Sequence, residues 1–258
     1  MPTTAVPSIL SKTGTLSNAA LRKRWAFEDN FSTKPLLEAA ADLNGTFDDE
    51  EVEAVAAGNL AWTTAGTNAT APAFSTGGGI TLTTGTTSGD DTYISAHGAT
   101  GGNAVLNTVD FSTSDGLALY VQIKTPASID NLSIGAGLKL TWALDGTDAN
   151  QVYFRYQDTQ SGGDWELRTS IAGTDDTIDT GIAVAASTTY ELVLEVSESD
   201  RTVQGWIATD YGDFTAVGQT SALTADIDLL PFVGVETNEA GANSVTVRKV
   251  AISKVMND

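Results

Sequence analysis

The sequence predicts an all-β protein: an antiparallel jelly-roll β-sandwich with an extended N-terminal arm and short helices. Two observations predict this fold class. From residue 60 onward, apolar and polar residues alternate with a period of two, as in half-buried strands. Segments rich in Gly, Asp, Asn, Ser and Thr separate these strands, and no helices alternate with them, which disfavours a βαβ sheet. With 258 residues, 41% of them hydrophobic, the chain can form one large β domain.

Residues 1–27 are predicted to form an extended basic arm. They contain four basic residues and no acidic one, so they carry +4, whereas the rest of the chain carries −24 within a net charge of −20. We interpret the arm as a docking segment. The alternative is a frayed terminus whose basic side chains lie against the acidic body of the same subunit. The predicted docking residues are Lys12, Arg22, Lys23, Arg24, Trp25 and Phe27.

Residues 28–59 are predicted to be a linker with two short helices. Pro35 opens an Ala-rich run that ends before Asn44-Gly45, and Asp48 opens an acidic run that ends at Gly58. Proline in the first turn, acidic residues near the N-terminus and glycine at the end are helix start and stop signals. We therefore expect helices over residues 35–43 and 48–57.

Residues 60–258 are predicted to form the jelly-roll sandwich. The alternation is clearest over residues 117–124 and 151–157. Near the C-terminus the apolar phase slips by one residue, which predicts a β-bulge at Arg248-Lys249. The glycine runs at 77–79 and 101–102 are predicted turns, because no Gly-Lys-Ser/Thr of a phosphate loop follows them. The five tryptophans have no fixed spacing, which disfavours a propeller.

Composition excludes several function classes. Without cysteine, the chain has no disulfide, thiol nucleophile or Cys-ligated metal, and its single histidine excludes a multi-His site within one subunit. The net charge argues against nucleic acid as a partner, because phosphates would be repelled. We expect no membrane partner, since no segment approaches 18 apolar residues. The N-terminal segment also lacks the features of a classical secretory signal.

Acidic residues offer one candidate for catalysis. Glu191 and Glu195 share a face of a predicted strand, but residues four apart are about 13 Å apart at about 3.3 Å per residue. Retaining glycosidases need their carboxyl groups about 5–5.5 Å apart, and Val193 stands where an intervening acid would be required. We therefore predict that the pair lies on the solvent side of its strand. The chain is predicted not to be an enzyme.

The lone histidine and the aspartate clusters have simpler interpretations. His97 is predicted to be a hydrogen-bonded loop residue, because no Gly-x-Ser-x-Gly elbow accompanies it. No cofactor is predicted, although a structural calcium ion would suit clustered oxygen ligands. None of the clusters completes an EF-hand loop, and aspartates in turns usually bond to their own backbone. The clusters are Asp90-Asp91, Asp145/Asp148/Asn150 and Asp175-Asp176/Asp179.

Three aromatic residues fall on the polar phase of their strands and are predicted to be exposed: Tyr120, Tyr153 and Trp206. They could stack on a sugar or become buried in a subunit interface. Interfaces are enriched in aromatic residues, and a docking arm favours this second interpretation.

Two groups of segments carry resemblances to known proteins. Gly66–Thr84, continuing to Gly89–Ile94, resembles a recurring segment of tailed-phage particle proteins, notably those of marine phages. The later segments are similar to the concanavalin A-like or laminin G-like jelly roll. These segments are Tyr190–Val196, Val203–Ile207, Pro231–Val235 and Val245–Ile252.

The resemblance implies a non-enzymatic phage virion protein that decorates or cements the capsid surface. The arm would dock on the major capsid protein, and the acidic jelly roll would face solvent. A homo-oligomer is expected, and the symmetry of capsid sites favours a homotrimer. The expected location is the capsid surface of the virion, after synthesis in the host cytoplasm. The alternative is a glycan-binding fibre or adhesion module resembling a lectin, and a polysaccharide hydrolase is less favoured.

Overall fold

The computed structural model describes residues 24–31, 37–39, 62–95, 111–140 and 148–255. Sixteen strands lie within these ranges and form two eight-stranded sheets. No helix in the described ranges is long and apolar enough to cross a membrane. In chain order, the strands β1 to β16 are Arg24–Asp29, Leu37–Ala39, Trp62–Ala65, Thr70–Phe74, Ile80–Thr83, Asp91–Ser95, Ala118–Lys124, Leu132–Lys139, Asn150–Gln157, Asp164–Ile171, Thr174–Ala183, Thr189–Val196, Val203–Thr209, Thr215–Gln219, Leu230–Thr237 and Ser244–Val255.

The two sheets have the crossed connectivity of a jelly roll. Sheet I has the strand order β14-β13-β12-β7-β16-β5-β4, and β1 also pairs with β16. Sheet II has the order β11-β10-β9-β8-β15-β6-β3-β2. The strand pairs are antiparallel except β2 with β3, which are parallel. The predicted all-β antiparallel fold class is confirmed.

The core lies between the sheets and is built by the predicted alternation. On β7, Leu119, Val121 and Ile123 are buried in it, as are the apolar residues of the neighbouring strands. Trp165 of β10 meets Tyr190 of β12 edge to face, with ring centroids 5.5 Å apart, and so joins the two sheets. Each fully buried aliphatic or aromatic side chain of this kind stabilises the fold by about 1.5–3 kcal/mol.

The predicted bulge on β16 is confirmed. The pairing of β16 with β7 shifts register between Val247 and Lys249, so Arg248 is the extra residue. The turn predicted at residues 77–79 lies directly beside this bulge. Gly79 has φ +90°, and a Cβ there would lie 2.3 Å from the carbonyl oxygen of Val247. Only glycine fits this approach of the turn to the bulged strand. The second glycine run, at 101–102, lies outside the described residues.

The boundary predicted between arm and body runs through a strand. Residues Arg24 to Asp29 form β1, which pairs with β16 from Arg24 opposite Val255 to Asp29 opposite Val250. β5 pairs with β16 only over Ser244–Val247, so the later half of β16 would present unpaired backbone groups on that side. β1 satisfies those groups. Residues 24–27, predicted to belong to the extended arm, are therefore part of sheet I.

The linker also contributes a strand. Leu37–Ala39 form β2, parallel to β3, where the sequence predicted a helix over residues 35–43. The start signals around Pro35 are local preferences of under about 1 kcal/mol per residue, and pairing with a sheet overrides preferences of that size. The second predicted helix, over residues 48–57, lies outside the described residues.

Candidate functional site

The predicted docking residues fall into two groups. Lys12, Arg22 and Lys23 lie outside the described residues. Arg24, Trp25 and Phe27 lie on β1, where only their backbone positions are described. Residues 1–23 therefore join the sandwich at the end of β1 that pairs with Val255.

Glu191 does not face solvent as predicted. It is 6% exposed, and its carboxylate accepts hydrogen bonds from the Tyr120 hydroxyl at 2.5 Å and from Gln122 Nε2 at 3.3 Å. Burial and the bond to Glu191 raise the pKa of the Tyr120 phenol, which therefore remains a proton donor to the carboxylate. The prediction failed because Tyr120 and Gln122, on the neighbouring strand β7, contact this carboxylate and donate hydrogen bonds to it. Glu191 is thus held in internal contacts.

The three aromatic residues predicted to be exposed are buried. Tyr120 and Trp206 belong to an apolar row on the outer face of sheet I, together with Val193 and Ala251, and Phe214 packs on this row. The row follows directly from register, because Trp206 opposes Val193, and Tyr120 opposes both Val193 and Ala251.

The third residue, Tyr153, is buried on the outer face of sheet II. It meets Phe232 edge to face, with ring centroids 5.8 Å apart. The ammonium of Lys139 lies 4.8 Å from the Tyr153 ring centroid and 5.4 Å from that of Phe232. These rings therefore surround a buried cation, an arrangement that alternation along the strand cannot reveal.

Several of the aspartates considered for calcium act as hydrogen-bond acceptors within the protein. Asp90 accepts from Asn68 Nδ2 at 2.8 Å and from the Thr87 amide at 2.9 Å, and it is 3% exposed. Asp176 and Asp179 accept from backbone amides of their own strand. Within the described ranges, no three His, Asp or Glu side chains gather into a group that could hold a metal. Asp145 and His97 lie outside those ranges.

An acidic cleft opens at one end of the outer face of sheet I. It has a volume of about 260 Å³, and its lining includes Glu195, Glu198, Thr202, Gln204 and Gln219. Gln204 Nε2 donates to the carbonyls of Gly205 and Gly218, so the two carboxylates supply most of the chemistry of the cleft. Such a cleft offers hydrogen-bond acceptors to hydroxyl groups or cations. The sequence analysis identified Glu195, but considered it as a partner of Glu191 and not of Glu198.

At the opposite end of this face lies a group that the sequence did not predict, and we call it the basic corner: Lys124, Thr189, Tyr211 and Arg248. Arg248 Nη1 donates to the Tyr211 hydroxyl at 2.8 Å and lies 3.5 Å from Thr189 Oγ1. Thr189 is the register partner of Lys124, which places both cations at the same corner. Tyr211 is 62% exposed, so its ring is available to a ligand.

Comparisons with known proteins identify the fold. Neither a protein-family profile nor a curated protein sequence matches the chain. A protein of unknown function from Shewanella oneidensis MR-1 superposes with a TM-score of 0.61 at 12% identity, covering 98% of this chain and 97% of that one. Peanut lectin with a 9mer peptide superposes with a TM-score of 0.53 at 11% identity, covering 91% and 99%. The fold is concanavalin A-like. The β-glucanase of Bacillus licheniformis also shares it, with a TM-score of 0.52 at 8% identity over 90% and 98% of the two chains.

Proposed function

We propose that this concanavalin A-like chain is a non-catalytic structural protein of a tailed-phage particle. The basic residues before β1 contact the major capsid protein, and the sandwich projects into solvent. The observation that carries the proposal is the pairing of β1 with β16. This pairing joins the basic segment directly to sheet I, so that a contact made by the segment would hold the whole body in place.

The charge distribution also supports a docking segment and a body that faces solvent. Residues 1–23 contain three basic residues and no acid, so they carry +3, and the rest of the chain carries −23. A body of strong negative charge stays soluble and repels its neighbours in a crowded surface layer. The short basic segment can meet acidic groups of a shell at close range. The resemblance of Gly66–Ile94 to phage particle proteins is consistent with this arrangement.

The acid pair supports a non-catalytic role. Glu191 accepts bonds from Tyr120 and Gln122, and Glu195 lies four residues along the same strand, in the cleft. An assay on a panel of polysaccharides tests this interpretation. The native protein should give no products, and turnover that disappears in a folded Glu191→Gln/Glu195→Gln variant would favour a hydrolase instead.

A homotrimer is part of the proposal. Association would cover sheet edges, of which the long outer strand β11 is one. Light scattering should give a mass of three subunits, free or on shells. A monomer in both settings would contradict the trimer.

The docking experiment uses shells assembled from the major capsid protein of the same genome. Full-length protein should cosediment with shells, and a variant lacking residues 1–23 should not, while its thermal unfolding stays unchanged because β1 is intact. Arg22→Gln/Lys23→Gln should weaken binding, and added salt should weaken the native contact, because screening acts over about 8–10 Å. Arg168→Gln, which changes a cation of the body, is the matched control. Full occupancy by the truncated protein would contradict docking through the arm.

Saccharide binding on the outer face of sheet I is a second candidate, and one specific observation favours it. Tyr211 presents a largely exposed ring beside hydrogen-bonding and charged side chains in the basic corner. Exposed aromatic rings with polar neighbours are common in binding sites. Peanut lectin shares the fold, although fold alone does not transfer a ligand. Glycan-array binding that is lost in Tyr211→Ala, with unfolding unchanged, would support this candidate, and an array without signal would remove it.

A further inference from the structure

The basic corner holds two cations that have no anionic partner among the described residues. Among the residues that the structure describes, neither Lys124 nor Arg248 has a carboxylate oxygen within 4.0 Å, whereas Lys249 is paired with Glu28 and Lys254 with Asp115. The chain contains 33 acidic residues against 13 basic ones. Two neighbouring cations without a carboxylate partner among the described residues are therefore unexpected in so acidic a chain.

The guanidinium of Arg248 is held in place but not fully hydrogen-bonded. Nη1 is directed to the Tyr211 hydroxyl and Thr189, while Nε is shielded from solvent and has no hydrogen-bond partner. A buried donor without a partner costs about 1–3 kcal/mol, so such groups are rare in native structures, and a bound ion is one explanation for them. The bulge explains the position of Arg248, because an extra residue in a strand redirects its side chain.

Two acidic side chains on adjoining residues accept hydrogen bonds from neutral donors. Asp210 accepts a hydrogen bond from the Thr189 amide at 3.0 Å, and Glu191 accepts from Tyr120 and Gln122. Neither forms an ion pair with the two cations. The corner thus presents two cations that neither of these carboxylates pairs with.

We propose that the basic corner binds the carboxylate of an acidic saccharide, a uronate unit. The planar guanidinium of Arg248 matches a carboxylate, and the ammonium of Lys124 adds a second positive charge. The exposed Tyr211 ring provides a surface for the apolar face of the sugar. Thr81 and Thr246, opposite each other on β5 and β16 beside Lys124, offer hydroxyl groups to the sugar hydroxyls.

Overall charge favours a short acidic saccharide over a long polyanion. The body would repel an extended chain of phosphates, whereas one carboxylate interacts mainly with charges within a Debye length of about 8–10 Å. This inference rests on the second candidate function, saccharide binding, and it is independent of the proposed attachment to a capsid.

The test measures calorimetric binding of three probes to the full chain. They are a short oligogalacturonate, the same oligosaccharide with its carboxyl groups reduced to hydroxyls, and sodium acetate. We expect the oligogalacturonate to bind at least about tenfold more tightly than either other probe, because hydrogen bonds to charged groups are roughly twice as strong as neutral ones. Arg248→Gln and Lys124→Gln should each weaken it about tenfold or more, and Arg168→Gln should not. Thermal unfolding and circular dichroism verify that the variants are folded.

The remaining outcomes distinguish failure of the uronate inference from failure of saccharide binding. Equal binding of the reduced and acidic oligosaccharides would overturn the role of the carboxylate and leave saccharide binding intact. Acetate binding as tight as that of oligogalacturonate would show a simple anion site and overturn the saccharide. No binding by either oligosaccharide would overturn the inference, and the glycan array then decides whether the second candidate function stands. Loss of oligogalacturonate binding in Arg168→Gln, with the corner variants unaffected, would place the site on sheet II and overturn the assignment.

Discussion

The polar groups on the outer faces of the two sheets differ in how they are paired. On sheet II, Arg155 and Glu166 form an ion pair at 2.9 Å with both side chains about 5% exposed, and Ser161 and Gln160 complete their hydrogen bonds. Lys139 lies against two aromatic rings. On sheet I, Tyr120, Gln122 and Glu191 form a similar internal network, but in the adjoining corner Lys124 and Arg248 have no anionic partner within the described ranges.

This difference predicts that the charges on sheet II contribute to stability and that those of the basic corner contribute to binding. Charges that are buried and paired hold one arrangement of side chains, and removing one partner leaves the other buried alone. Charges at the basic corner are partly exposed and form no ion pair with another described residue, so their removal should cost the fold little. We therefore expect substitutions on sheet II to act on unfolding and those at the corner to act on ligand binding.

The largest expected effect is at the buried ion pair. Glu166→Ala leaves the Arg155 guanidinium buried without its carboxylate, and should lower the free energy of unfolding by about 3–5 kcal/mol. Urea denaturation measures this loss. The double variant Arg155→Met/Glu166→Leu, which replaces the pair with apolar side chains, should lose less than the single variant. A single variant within about 1 kcal/mol of the native protein would contradict the contrast between the faces.

Alkaline pH should destabilise both faces together. Burial raises the pKa of Tyr93, on the outer face of sheet II, to about 12, with a further contribution from Asp91. Burial likewise raises the pKa of Tyr156 to about 12, with the carboxylates of Asp158 and Asp130 adding to the effect. The pKa of Tyr120, on sheet I, is also raised.

Because the folded state keeps these protons longer than the unfolded chain, stability is complete below about pH 10 and falls between about pH 10 and 12. Urea midpoints across that range should decrease steadily. Tyr93→Phe/Tyr156→Phe should flatten the decrease, and an unchanged slope in this variant would contradict the assignment to these phenols.

A smaller effect is expected from the network on sheet I. Tyr120→Phe removes the hydroxyl that donates to the buried carboxylate of Glu191, which should lower the free energy of unfolding by about 1–3 kcal/mol. Tyr211→Phe removes the same group from an exposed ring and serves as the matched control, with a change of under about 0.5 kcal/mol. Equal losses in the two variants would show that burial of the network does not increase its contribution to the free energy of unfolding.

The smallest effect on stability is expected at the basic corner. Lys124→Ala removes a half-buried cation without an ion-pair partner in the described part of the chain, and the free energy of unfolding should change by less than about 0.5 kcal/mol. Urea denaturation and oligogalacturonate binding, measured on the same preparation, should diverge. A loss of more than about 1 kcal/mol would indicate that the corner has a structural role.

The local alternation of apolar and polar residues was sufficient to predict much of the fold. A period of two predicted the strands, and a slip in that period predicted the bulge that holds Arg248, since both depend on neighbouring residues. The burial of Tyr120 and Trp206 could not be predicted, because alternation separates the two faces of a strand without showing what covers the outer one. The strand at Leu37–Ala39 depends on pairing with β3, which a local helix signal does not reveal.

The candidate site depends on contacts between distant parts of the chain. Arg248 meets Thr189 and Tyr211 across 59 and 37 residues, respectively. Tyr211 belongs to a turn whose sequence, Asp210-Tyr-Gly-Asp213, indicates only a loop. The sequence therefore predicted the elements that carry the site, but the meeting of their side chains depends on sheet order, which periodicity does not determine.

The pairing of β1 with β16 also has a mechanical consequence. Tension applied through the residues before Arg24 reaches the sandwich first at the Arg24–Val255 pair. A pull across the strands would open the six pairs in succession from that end, whereas a pull along β1 would load all of them at once. The strand therefore resists force by different amounts in different directions, and its strength as a tether depends on the angle at which the preceding residues leave the sheet.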